Sequence, residues 1–235
     1  MNRAFTLIEM LITISIAMVL AALIAASTRS SIAAANRTKA VSNLGQILTA
    51  MHLYATDNNE YFPAGYDWKG AGKVEKTYSS ELLPYMDAKT NYLNAASNPF
   101  VSPTSTLRVK SNAEYISSTY SVHGLLCGDI STVDNRIKRT RVARPTEVIL
   151  IGEGCQSPTS RNASATLRFP AEFKSADSPQ DLNAKIPVGP DSDTADGAGW
   201  LRYRSGGGVV VGMVDGHCAV MPKGTVTYRN VIADR

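Results

Sequence analysis

Hydrophobic and polar positions divide the chain into three regimes. From Met10 to Thr28 all 19 residues are uncharged and none is Gly or Pro. At about 1.5 Å per residue such a helix comes close to the ~30 Å hydrocarbon core of a bilayer, so the pattern predicts a membrane-spanning helix. The period then changes. Val41, Leu44, Leu48, Met51 and Ala55 recur at alternating steps of three and four, with Ile47 and Tyr54 widening the stripe and Asn43, Gln46 and Thr49 falling towards the other side. That is the pattern of an amphipathic helix packed on a core. No Pro precedes Pro63, and Gly45 is the only glycine before Gly65. One continuous helix from about Phe5 to Asp57, roughly 80 Å long, is therefore predicted. Asp57-Asn58-Asn59 stops it, and Tyr61-Phe62-Pro63-Ala64-Gly65 begins irregular chain.

Beyond the helix the apolar runs shorten to strand length. Residues 79–86 predict a short helix or turn limited by Pro84, and 97–112 a Ser-, Pro-, Thr- and Asn-rich surface loop. Strands are predicted at Thr119 to Leu126, at Thr146 to Gly152, and at Gly206 to Val214. The last leads through Asp215-Gly216, a hairpin turn, into His217 to Met221. Residues 156–200 are mostly polar with five prolines and predict a long excursion held locally by Leu167, Phe169, Phe173 and Trp200.

Composition adds little chemistry. The chain has 235 residues, 19% of them charged, and a net charge of +4, too mild to announce nucleic acid. The most basic run, Arg136, Lys138, Arg139, Arg141 and Arg144, is expected to be a solvated loop face. Cys127, Cys155 and Cys218 are far apart, without metal or redox spacing. In an oxidising exterior two of them could pair, and the sequence does not say which.

The N-terminal edge of the apolar run is its most specific feature. Glu9 is a carboxylate at the boundary of the span, where an acid costs on the order of a few kcal/mol and calls for a role. A cleaved secretory signal has its charges ahead of a shorter apolar core of about 7–15 residues. Here Arg3 alone stands near the start and the acid lies inside. Ala4-Phe5-Thr6-Leu7-Ile8-Glu9 resembles, residue by residue, the leader of type IV pilins and type II secretion pseudopilins, with Ala4 where Gly is commoner.

The resemblance implies cleavage between Ala4 and Phe5 by a prepilin peptidase, N-methylation of Phe5, and retention of the helix. It gives Glu9 an assembly role, pairing with the Phe5 ammonium of a neighbouring subunit in an apolar bundle. It also implies an inner-membrane assembly platform as a partner, and a C-terminal domain outside the cytoplasm. Counting Lys and Arg argues the opposite orientation, since Arg29, Arg37 and Lys39 follow the span and only Arg3 precedes it. The leader motif is the more specific signal. Residues 43–63 also resemble the helix exit of bacterial pseudopilin-like proteins.

A second resemblance lies at the other end. A group of prepilin-associated proteins carries a His, nine residues, then Asp-Gly within a Gly-rich strand. Asp215-Gly216, the preceding glycines and His217 match, but Ser205 stands in the place of the His.

Candidate catalytic chemistry is sparse. His52, His123 and His217 read as satisfied surface or core histidines, and no nucleophile elbow, zinc helix or phosphate loop is present in the sequence. Asp191-Ser192-Asp193-Thr194-Ala195-Asp196-Gly197 departs from EF-hand spacing at Ala195, and Arg202 occupies the twelfth position. A solvated acidic loop is the expectation, with an irregular calcium site as the minor alternative and no other cofactor.

The expected architecture is α+β and pilin-like, with one long N-terminal helix on a C-terminal antiparallel sheet. The expected divisions are a leader at 1–4, a transmembrane and filament-core helix at 5–28, its amphipathic continuation at 29–57, and a globular domain at 58–235. The expected function is that of a non-enzymatic filament subunit. A membrane-anchored binding module that never polymerises and a DNA-uptake pilin are the alternatives.

Overall fold

The computed structural model of the protein describes residues 6–68, 76–87, 91–94, 96–109, 116–167 and 181–233, except the side chains of 24–27 and 29. The chain forms two compact units, Met1–Asn36 and Arg37–Arg235. One helix, α1, runs Leu7–Asp57 over 51 residues, as the absence of breakers predicts. In the first unit its apolar side chains, among them Leu7, Leu11, Ile14, Met18 and Leu23, are exposed. Among the described residues no helix is long and apolar enough to cross a membrane. Side chains 24–27, within the apolar run, lie outside that description.

In the second unit α1 changes character at Ala40. Leu44, Ile47, Leu48, Met51 and Ala55 are fully buried, as their spacing predicts, and Ala40 and Ala50 join them. Removing each large side chain of that stripe from water contributes about 1.5–3 kcal/mol. Asn43 departs from expectation. It is buried, and its Nδ2 donates to the Val101 carbonyl (3.3 Å), so the amide is turned inward to satisfy a loop. The helix ends as Asn59 and Glu60 enter the left-handed region (φ 54° and 70°) and the Glu60 N–H donates to the Ala55 carbonyl (2.8 Å). This six-residue closure ties up a carbonyl that the last turn leaves open.

The main sheet has four antiparallel strands in sequence order: β3 (Tyr120–Val122), β4 (Ile149–Glu153), β5 (Gly208–Met213) and β6 (Cys218–Pro222). A two-residue pair, β1 (Tyr66–Asp67) with β2 (Lys76–Thr77), and a single turn of helix, α2 (Tyr78–Glu81), precede it. β4 and β5 are buried along their whole length, because both faces of the sheet are covered. On one face Leu150, Val210 and Val214 share a core with the α1 stripe, Tyr120 and Val122. On the other, Ile149, Val209, Val211 and Met213 pack with Leu167, Ile186, Leu201, Tyr203, Val226 and Val231.

That second layer revises the expectation for 156–200. Leu167 is not part of a local cluster; with Leu201 it belongs to the cover of the far face. Phe169 and Phe173 lie outside the described residues. Gly212 sets the approach of helix to sheet: a Cβ there would fall 2.6 Å from Leu48 Cδ1 and 3.0 Å from Ile151 Cγ2. The hairpin also differs in detail. The Gly216 N–H donates to the Met213 carbonyl (3.0 Å) and Gly216 has φ 98°. Asp215 is thus the third residue of a four-residue turn that Gly216 closes, and of the two it is glycine that takes the left-handed position.

Candidate functional site

The N-terminal feature is built from one turn of backbone. Thr6 precedes α1, and its N–H and hydroxyl both donate to Glu9 Oε2 at 2.8 Å, while the Glu9 N–H donates to Thr6 Oγ1 (3.3 Å). Ser/Thr-x-x-Glu ahead of an apolar run is the reciprocal capping box, which satisfies amides that a helix start leaves open. Glu9 therefore has a partner within its own chain, which the sequence reading did not assign to it. The acid at the third helical position also suits the positive end of the helix dipole. Ala4 and Phe5 lie outside the described residues.

The end of α1 carries a second constellation. His52 is half-buried, and Arg139 Nη1 lies 3.2 Å from its Nδ1. Arg139 forms an ion pair with Glu60 and its Nη2 donates to Thr56 Oγ1 (3.3 Å). Burial, and then the charge of Arg139, hold the His52 imidazole below its ordinary value, against the opposing charge of Asp215. At the turn, His217 Nδ1 lies 2.7 Å from Asp215 Oδ1, and the His217 N–H meets the same oxygen (3.1 Å). Burial raises Asp215, but these bonds and the neighbouring imidazole outweigh it, and its carboxyl falls below the usual range. His123 is a satisfied core group: Nε2 lies 2.9 Å from the Val231 carbonyl, and Nδ1 accepts from the Leu125 N–H (3.1 Å).

The basic run is largely occupied in holding the fold. Arg136 pairs with Asp134 (2.7 Å), donates to the Phe62 carbonyl (2.7 Å) and lies 5.6 Å from the centre of the Tyr61 ring. Lys138 stands 5.3 Å from the same ring. Arg144 bridges Glu147 and the Ile232 carbonyl. The acidic run is likewise engaged. Asp191 pairs with Arg202 (2.8 Å) and Lys223 (2.5 Å), and Asp193 with Arg204 (2.5 Å) and Arg202 (3.4 Å). Burial raises both carboxyls, yet these partners and the bonds from Thr106, Tyr203 and Gln156 bring them below the usual range. Among the described residues no group of three metal-ligating side chains comes together. All three cysteines are unpaired, and burial raises each thiol, Cys155 to about 11.

Sequence reasoning passed over Glu153. It is fully buried at the end of β4. Its Oε1 accepts from the Ser102 (2.5 Å) and Thr104 (2.6 Å) hydroxyls, and its Oε2 from the Ser205 hydroxyl (3.3 Å) and the Val210 N–H (3.1 Å). Ser205, which stands in place of the expected histidine, thus helps to solvate a buried acid.

Residues 1–25 match the family model described as the prokaryotic N-terminal methylation motif. No curated protein and no solved structure matches the chain. The motif ends before the globular unit begins, so the match bears on the N-terminal segment alone. The chain thus carries a prepilin-type N-terminal methylation motif ahead of a long helix and an antiparallel sheet.

Proposed function

We propose that this protein is a structural, non-enzymatic subunit of a type IV pilus-like or type II secretion pseudopilus filament. A prepilin peptidase cleaves between Ala4 and Phe5, the new Phe5 amine is methylated, and the helix stays anchored in the inner membrane with the globular unit outside the cytoplasm. Assembly then bundles the exposed apolar surface of α1 with copies or homologues of itself. Leaving lipid is inexpensive because neighbouring apolar helices replace it. The observation that carries this reading is the match of residues 1–25 to the methylation motif. A DNA-uptake role gains no support from the basic run, whose Arg136, Arg139 and Arg144 bind Asp134, Glu60 and Glu147.

Two roles for Glu9 can be separated by chemistry. A capping box accepts Gln as well as Glu at the third position. Pairing with the Phe5 ammonium of a neighbour requires the charge. Glu9→Gln and Glu9→Leu should therefore both be processed and inserted normally, and both should lose filaments. An unpaired charge in an apolar bundle costs on the order of 3–5 kcal/mol, more than about a hundredfold in assembly. Filaments at wild-type level from Glu9→Gln but not from Glu9→Leu would assign Glu9 to capping alone. Wild-type filament levels from both variants would rule out the pairing, and an unmodified chain that forms no filaments would favour the anchored module that never polymerises.

A further inference from the structure

The globular unit holds a cleft of about 730 Å³, bounded by α1 at Lys39, by the loop at Asn94 and Ala96, and by residues 101–109. The last wall has no strand or helix, yet buried polar groups fix it at many points. Glu153, fully buried, accepts from the Ser102 and Thr104 hydroxyls, and Thr119 Oγ1 accepts the Ser102 N–H (2.7 Å). Gln156, also fully buried, accepts the N–H groups of Thr106 and Leu107 (both 3.1 Å) and returns Nε2 to the Leu107 carbonyl (2.7 Å). Asp193 accepts the Thr106 hydroxyl. Burying a carboxylate and an amide is unfavourable unless each is fully bonded, and here both are directed at one irregular stretch. The result is a wall held in place before anything binds, which lowers the ordering cost of binding.

The lining chemistry states what would bind. Lys39 and Arg108 are both exposed, and no carboxylate and no aromatic ring belongs to the described lining. Lys39 Nζ spends one donor on the Ala96 carbonyl (3.0 Å), which leaves two of its three N–H bonds for the cleft. Arg108 adds a five-donor fork, and Ser105 a hydroxyl. Among the described lining residues two cations stand on a concave surface without a counter-acid, an arrangement that focuses positive potential. The volume falls within the ~300–1,000 Å³ range of small-molecule sites.

We propose that this cleft is a binding site for a small oxyanion, a carboxylate- or phosphate-bearing molecule clamped between Lys39 and Arg108. The proposal does not rest on the filament reading. Its test is titration of the full-length protein in neutral detergent micelles, followed by calorimetry, with inorganic phosphate, D-glucuronate and, as the uncharged control, glucose. The expected result is saturable binding of at least one anion and none of glucose, weakened by added salt. Lys39→Gln and Arg108→Gln should each weaken it by about tenfold or more, the loss of a charge-assisted hydrogen bond, with unchanged thermal unfolding. Binding of phosphate alone assigns the phosphate source, and of glucuronate alone the carboxylate source. No saturable binding of either anion, or equal binding by wild type and both variants, would overturn the proposal.

Discussion

His52 illustrates how much a single side chain on α1 carries. It sits half-buried beside Arg139, and burial followed by that positive charge depresses its basicity. The folded protein thus binds the proton less readily than the unfolded chain, whose histidine titrates near pH 6.5. Stability from this residue is fully present above that value and is lost as the pH falls through the depressed folded value. Denaturant unfolding should therefore show wild type losing stability as the pH falls below about 6.5, with a clearly shallower loss in His52→Gln. The carboxyls held low by their partners, Asp134, Asp191 and Asp193, act in a separate and more acidic window. Parallel pH profiles for the two proteins would show that His52 does not carry the effect. Glu9 teaches the complementary lesson. Its Thr-x-x-Glu spacing is legible in the sequence as a capping box, and the structure displays that local bond.

At the scale of elements, the contact of α1 with β4 and β5 is set by what is missing at Gly212. A side chain there meets Leu48 and Ile151, both fully buried, so Gly212→Val should cost about 1–3 kcal/mol by overpacking. Leu48→Ala should cost about 2–5 kcal/mol through the cavity it leaves. Combining them should cost less than the sum, because the truncation opens room for the added methyls. Strict additivity in urea unfolding would contradict this packing. The helix was legible in the sequence because a three-four period over Val41 to Ala55 admits few other structures. The central strands were legible as apolar runs. The cover of the far face was not, since Ile186, Leu201, Tyr203, Val226 and Val231 are scattered without a period and meet only through tertiary packing. The cleft was hidden for a similar reason. Glu153, Gln156 and Asp193 look like ordinary polar residues until the fold buries them against one loop.

At the scale of the whole molecule, the N-terminal motif and the globular unit answer different questions. Residues 1–25 match the N-terminal methylation motif, on which the proposed processing and retention rest. The unit from Arg37 onward, with its two-sided sheet and cationic cleft, is what such a subunit would present outside the cytoplasm. The account as a whole depends on cleavage at Ala4-Phe5, because methylation, helix retention and the pairing of Glu9 all presuppose it. Intact-mass and N-terminal peptide mass spectrometry of the protein purified from its native membrane tests it most directly. The account predicts a chain lacking Met1 to Ala4 and beginning at a singly N-methylated Phe5. A chain that retains Met1, or one that begins beyond Thr28, would contradict it.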